Sequence, residues 1–189
     1  MTAVLKEKMS LEEYLEFDSE SEGRFEYFNG EVFEMSGGSP EHSLLANRIG
    51  RLLGNQLDPK GCLVYQSDAK IKVPAMPPYR YGDVSALCGQ PVYEQLINQK
   101  LLVNPALIVG VLSPSTEKYD RASKFKAYKS IESLREYMLV WQDEIFIMLL
   151  SRHSENFWFQ TEYGPGDKVK IESLDCELSV GEIYKGIIE

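Results

Sequence analysis

Cysteine and histidine are scarce in this chain. Its 189 residues include three cysteines, Cys62, Cys88 and Cys176, and two histidines, His42 and His153. An odd, scattered set of cysteines implies no disulfide framework and suits a reducing compartment, so the expected location is cytoplasmic. No Cys/His spacing of the zinc-binding kind occurs. No apolar run is long enough to span a bilayer, and the opening MTAVLKEKMSLEEYLEF has no apolar stretch of the secretory-signal kind. Basic residues are also few: 20 Lys and Arg stand against 29 Asp and Glu, a net charge of -9. Non-specific nucleic-acid binding depends mostly on basic surface. A nucleic-acid role here therefore needs a local basic patch, or a metal ion between carboxylates and phosphate. G-x-S-x-G, P-loop and G-x-G-x-x-G motifs are absent, as are internal repeats and low-complexity tracts.

What is present suffices for a core. Hydrophobic residues make up 43% and charged residues 26%, ordinary values for a globular protein of one domain. Ser10 followed by Glu13 is a capping-box pattern that starts a helix at Leu11. Asn29-Gly30 between two aromatic-rich runs marks a hairpin, and Ser36 to Pro40 reads as a loop. Leu45, Ile49, Leu52, Leu53 and Leu57 recur at helical spacing, predicting a long helix over Glu41 to Leu57. CLVYQS, AKIKV, YGDVSALC, ALIVGVL and EYMLVW read as strands, with a helix over STEKYDRASKFKAYKSI. The segment before NPALIVGVL reads as a polar loop or short helix. IFIMLL and NFWFQTEY form a closing pair of strands, GPGD is a turn, and Ser179 with Glu182 repeats the capping pattern.

The expected fold class is α/β: a mixed central sheet flanked by helices, with the hairpins before and after extending its edges. The core spans about 41–142. An N-terminal helix and hairpin occupy 10–36, and C-terminal strands with a short helix occupy 145–188. Trp141, Trp158 and the other aromatics read as packing residues.

Three positions draw attention. Asp83 begins an apolar strand and shares a face with Ser85 and Leu87; it is either solvated at the sheet edge or held in a cleft. In the helix after LSPST, Lys118, Lys126 and Lys129 fall in one arc at about 100° per residue. Asp120, Lys124 and Tyr128 fall in another, where Asp120 and Lys124 form either a surface ion pair or part of a site. Gly110 interrupts a strand that reads as buried on both faces, which means a tight contact, a bulge or a missing side chain.

GVLSPSTEKYDRASKFKAY followed by EYMLVW, with YGDVSALC and RFEYFNGEVFEMSGGSPEH upstream, resembles the bacterial restriction endonuclease-like family of the PD-(D/E)XK nuclease superfamily. The resemblance covers roughly Leu11 to Arg152. Its most specific piece is L-S-P-S-T, Leu112 to Thr116, with D-R-x-x-K-x-x-x-Y, Asp120 to Tyr128. It implies a restriction endonuclease-like fold and a metal-dependent endonuclease that hydrolyses phosphodiester bonds in DNA, using Mg²⁺ or Mn²⁺. Asp83 matches the metal-binding Asp, although Gly82 replaces the preceding Pro. Gly110 stands where the family has its metal-binding Glu, a departure that implies weaker metal binding. Lys124 matches the catalytic lysine, moved from the strand position of Leu112 to the following helix. Glu31 and His42 also match recurrent positions. Glu117, Asp68 and Glu31 are acids that could replace the missing carboxylate. The alternative is a catalytically inactive nuclease-fold protein acting in binding or regulation. Exposed N-terminal edge hairpins make a homodimer an expectation as well.

Overall fold

The computed structural model describes residues 2–4, 8–35, 38–114, 116–155 and 157–188. Ser36 and Gly37 of the expected loop, Ser115 of the LSPST stretch and Asn156 lie outside the described residues. Strand β1 (Thr2–Val4) precedes helix α1 (Leu11–Glu20). The capping box at α1 forms as expected. Ser10 Oγ accepts from the Glu13 N–H at 3.2 Å, and Glu13 Oε2 accepts from the Ser10 N–H at 2.7 Å. Asn29 and Gly30, at φ 50° and 90°, turn β2 (Phe25–Phe28) into β3 (Glu31–Glu34).

This hairpin does not extend the central sheet. It makes its own three-stranded sheet, in the order β1-β3-β2. The reason is its buried side: Val32 packs with Tyr14 and Leu15 of α1 and with Tyr79, Tyr81 and Leu101, forming a separate core. The Tyr14 hydroxyl donates to Tyr79 Oη at 2.8 Å inside that core.

Helix α2 (Pro40–Leu57) follows, capped by Ser39 Oγ accepting from the His42 N–H at 3.1 Å. Leu45, Ile49, Leu53 and Leu57 are fully buried along it, as their spacing requires.

The strands that follow are β4 (Leu63–Gln66), β5 (Lys70–Lys72), β6 (Tyr79–Tyr81), β7 (Val84–Leu87), β8 (Tyr93–Leu96), β9 (Gln99–Leu102), β10 (Leu107–Leu112), β11 (Glu136–Trp141), β12 (Ile147–Arg152) and β13 (Trp158–Tyr163). The central sheet has the order β13-β12-β11-β10-β7-β4. It is mixed: β10 runs parallel to β11 and antiparallel to β7. The pair β12 and β13 extends one edge, as expected.

Alternation divides the sheet into two faces. Val84, Val109, Val111, Met138 and Val140 pack under α2 and the C-terminal segment. Ile108, Leu112, Tyr137, Leu139 and Trp141 face the other layer, with Ala127, Tyr128 and Ile131. That second layer includes a helical segment built from α3 (Glu117–Tyr119), a π turn (Asp120–Lys124) and α4 (Phe125–Tyr128).

Other parts of the chain also differ from expectation or add to it. The stretch before β10 holds the hairpin β8–β9, turning at Ile97 with φ 51°. It joins β5 and β6 in a four-stranded sheet, so AKIKV leaves the central sheet. β8 is mostly exposed and carries no hydrophobic alternation that would announce a strand. The C-terminus adds a further hairpin, β14 (Lys168–Ile171) and β15 (Cys176–Ser179), before α5 (Val180–Tyr184). Finally, Cys62 and Cys88 form a disulfide. Leu63 pairs with Leu87 across β4 and β7, so the next residue outward on each strand meets its opposite. Only Cys176 is free among the described residues.

Candidate active site

Asp83 stands at the mouth of β7. Its N–H donates to Val109 O at 2.9 Å, carrying the β7–β10 ladder one step past the Val84–Val109 pair. That register sets Asp83 alongside Gly110, on the face of Ser85 and Ile108. Gly82 has a steric reason: a Cβ there would come 2.8 Å from Ile108 Cγ2, so the ring of a proline would collide.

The Asp83 carboxylate is held at both oxygens. Oδ1 lies 2.9 Å from His42 Nε2, near the start of α2, and Oδ2 accepts from the Val111 N–H at 2.7 Å. Burial pushes the carboxyl pKa up. The hydrogen bond and charge of His42, the Val111 N–H and the Lys124 charge outweigh it and hold Asp83 below its ordinary value. Burial likewise pushes His42 down, but its bond to Asp83 and the charges of Asp83 and Asp120 leave it raised above 6.5.

Linkage fixes the pH window of this pair. The contribution of His42 is fully present below its unfolded pKa and is lost as pH rises through its higher folded value. That of Asp83 is present above 3.8 and is lost as pH falls through its lower folded value. Urea melts of the protein and of His42→Gln should therefore differ more at about pH 6 than at about pH 9. An equal gap at both pH values would remove His42 from the ion pair.

Lys124 closes the π turn, where the Phe125 N–H reaches back to Asp120 O, five residues earlier. π turns interrupt helices frequently at functional positions. Lys118 and Lys126 are exposed and Lys129 is half-buried, whereas Asp120, Lys124 and Tyr128 are buried. The Lys124 ammonium lies 3.4 Å from Asp120 Oδ1 and 4.0 Å from Glu26 Oε1. Asp120 and Lys124 thus form an ion pair, but a buried one in a cleft wall. Burial disfavours the ammonium, yet Tyr128, Glu26, Asp120 and Tyr137 around it raise its pKa well above 10.5. Asp120 moves the other way for a carboxyl: burial raises it, and the neighbouring Asp83 and Glu26 charges add to that against Lys124 and Thr116.

These groups meet in one cleft of about 800 Å³, lined by Arg24, Glu26, Glu34, His42, Asp83, Val111, Ser113, Asp120, Lys124 and Gln142 among others. Glu31 is not part of that lining; the hairpin acids that reach it are Glu26 and Glu34. Asp68 lines a neighbouring depression. Glu117 pairs with Arg121 at 2.7 Å, and His153 packs against Phe157 and Phe159. Sequence reasoning missed Glu26. Its signal was an acid inside the aromatic run RFEYF, a residue that either faces water or requires a buried partner.

Gly110 carries the most telling geometry. A Cβ there would point at the Tyr137 hydroxyl, 3.2 Å away. That hydroxyl is buried and has no hydrogen-bond partner among the described residues. A buried donor without an acceptor is costly. Here it borders the one position on this face where the strand provides no side chain.

The family model described as "Uma2: Putative restriction endonuclease" matches residues 11–181. The chain belongs to the Uma2 family. It is 34% identical over 180 residues to the uncharacterized protein slr1290 of Synechocystis, covering 95% of this chain and 93% of that one. A second Synechocystis protein, sll1609, is 28% identical over 160 residues, covering 85% and 89%. A crystal structure of "a putative nuclease belonging to DUF820" from Anabaena variabilis superposes with a TM-score of 0.73 at 15% identity, over 93% of this chain and 97% of that one. The Uma2 protein therefore has a restriction endonuclease-like α/β fold.

Restriction endonuclease-like families generally use divalent metals. Among the described residues, no three His, Cys, Asp or Glu side chains converge as a ligand set. Mg²⁺ is nevertheless often held by one or two carboxylates, with water and substrate phosphate completing its shell. Asp83 fits that mode: it is ionised and opens onto the cleft, its side chain 23% exposed. The orphaned Tyr137 hydroxyl marks where a further carboxylate would find a donor. The residues present fit an ion that enters with phosphate rather than one held by protein alone. No helix among the described residues is long and apolar enough to cross a membrane.

Proposed function

We propose that this Uma2 protein is a metal-dependent endonuclease that hydrolyses phosphodiester bonds in DNA, with its rate and metal affinity reduced by Gly110. The observation that supports this reading is the joining of Asp83 and Lys124, 41 residues apart in the chain, in a single cleft. In this reading Asp83 holds Mg²⁺ or Mn²⁺ together with the phosphate of the substrate. A bound divalent cation there supplies Lewis-acid stabilisation of phosphate oxygens and a more acidic water.

The chain's own groups have definite tasks. The Val111 N–H and His42 fix the Asp83 carboxylate, so that it meets its ligand already oriented. Lys124, charged at neutral pH, stabilises the negative charge that grows on the phosphate as water attacks phosphorus and the ester P–O bond breaks. Glu31 has no task here, because it lies outside the cleft lining. The same reading has the protein working on DNA in the cytoplasm as a homodimer, and sedimentation at micromolar concentration checks the dimer.

The test is cleavage of plasmid and single-stranded DNA with Mg²⁺ or Mn²⁺. Asp83→Ala is expected to abolish the cleavage. Cleavage that survives this change unaltered sinks the assignment.

Gly110 favours a second reading, a catalytically silent nuclease-fold protein that acts in binding or regulation. Calorimetric titration with Mn²⁺ in the presence of a non-cleavable phosphodiester separates the two. Binding that depends on Asp83 supports hydrolysis; no Mn²⁺ binding at any concentration of the phosphodiester supports silence.

A further inference from the structure

We propose that Glu26, delivered by the N-terminal hairpin, is the positioning residue that holds the Lys124 ammonium in the cleft. This deepens the hydrolytic reading above and rests on it. Glu26 lies on β2, in a sheet separate from the one that carries Asp83. Only 2% of it is exposed.

Each Glu26 oxygen lies beside a cation. Oε1 accepts from the Tyr81 N–H at 2.9 Å and lies 4.0 Å from Lys124 Nζ, while Oε2 lies 3.6 Å from Arg80 Nε. Arg80 has no exposed surface. It donates from Nη1 to Tyr79 O at 2.5 Å and from Nη2 to Tyr27 O at 2.6 Å. The guanidinium is thus tied to the backbone of β6 and of β2, and its charge sits 3.6 Å from Glu26 Oε2.

Lys124 needs such an anchor. A lysine is a point charge on a flexible stem of four carbons. Asp120, four residues back on the same helical segment, draws the ammonium along that segment. Glu26 draws it from a different element, β2, with the oxygen that also accepts from the Tyr81 N–H of β6. Held between the two, the ammonium keeps one place in the cleft. The cost of burying Arg80 with Glu26 points the same way. A buried ion pair adds little stability compared with apolar groups of the same volume, so stability alone does not account for it. Besides Glu26, Lys124 experiences Asp120 and Tyr128 from its own segment and Tyr137 from β11, and its own charge acts on Asp83 at the mouth of β7.

The experiment is Glu26→Gln in the full chain. Two readouts are followed: the titration of the Lys124 side chain by ¹³Cε NMR without DNA, and kcat and KM on plasmid with Mn²⁺. The expected result is a titration midpoint for Lys124 displaced downward, with kcat lowered about 10²-fold and KM nearly constant. Glu26→Asp, which keeps the charge, should restore part of both. If Glu26→Gln does not fold because Arg80 is left unneutralised, the Glu26→Gln, Arg80→Gln double variant carries the same measurements. A folded variant in which neither the Lys124 titration nor kcat moves overturns the proposal and leaves Glu26 a structural brace. A shifted Lys124 titration in a protein whose wild type cleaves no DNA upholds the positioning and overturns the hydrolytic reading.

Discussion

Gly110→Glu is expected to give a protein that binds Mn²⁺ more tightly and cleaves DNA faster, by about 10²-fold if one preorganised group is restored. The argument begins with register. Position 110 lies beside Asp83 on the face that looks toward the helical segment carrying Lys124. A glutamate there would add a second carboxylate to the first. Its Cβ would stand 3.2 Å from the Tyr137 hydroxyl and 3.5 Å from Leu139 Cδ2, so the tyrosine must yield by a few tenths of an ångström. In return, the unpartnered hydroxyl gains an acceptor.

Without metal, the new charge faces Asp83 in a buried place, which costs stability. The variant should therefore melt below the wild type in EDTA and regain stability with Mn²⁺, by about 2.7 kcal/mol at 100 times its dissociation constant. Thermal melts across a Mn²⁺ series read this directly, apart from any catalysis. A variant whose melting temperature ignores Mn²⁺ would show that the cleft cannot accept a carboxylate at this position.

The second large effect is expected from Lys124→Met. Methionine fills most of the volume and removes the charge. Glu26 keeps Arg80, but Asp120 loses its cation at 3.4 Å. Breaking a buried pair from one side costs about 3–5 kcal/mol. The already raised Asp120 carboxyl softens this by taking up a proton, so about 3 kcal/mol is the expected loss at neutral pH. Asp120 binds that proton more readily in the folded variant than in the unfolded chain, so the deficit should shrink as pH falls. Cleavage should fall about 10²–10³-fold. Urea denaturation at two pH values and plasmid cleavage provide both numbers. Full activity with an unchanged melting curve would place the lysine outside the chemistry and outside the core.

Much of this architecture could be read from local pattern. Ser10 with Glu13, Asn29-Gly30 and the leucines of α2 each commit a short stretch to one conformation, and each forms as read. The two faces of the helical segment also follow from its spacing, with Lys118 and Lys126 outside and Lys124 inside. What stayed hidden depends on contacts between distant elements. Glu26 reads as the polar residue of an alternating strand, and only the docking of the hairpin against β6 turns it inward to Arg80 and Lys124. Glu31, the first residue past the turn on the partner strand, ends outside the cleft lining. Cys62 and Cys88 meet because β4 and β7 pair in one particular register, which neither strand specifies by itself. The hairpin β8–β9 lacks a buried face along β8, so its sequence has no hydrophobic rhythm.

The N-terminal hairpin also sets how far the protein can be shortened. A fragment starting at α2 would keep all six strands of the central sheet. It would lose Arg24, Glu26 and Glu34, and with them one bank of the cleft. Arg80 would be stripped of its counter-charge, and the ammonium of Lys124 would face solvent on that side. The smallest working unit therefore begins upstream of the sheet that carries Asp83.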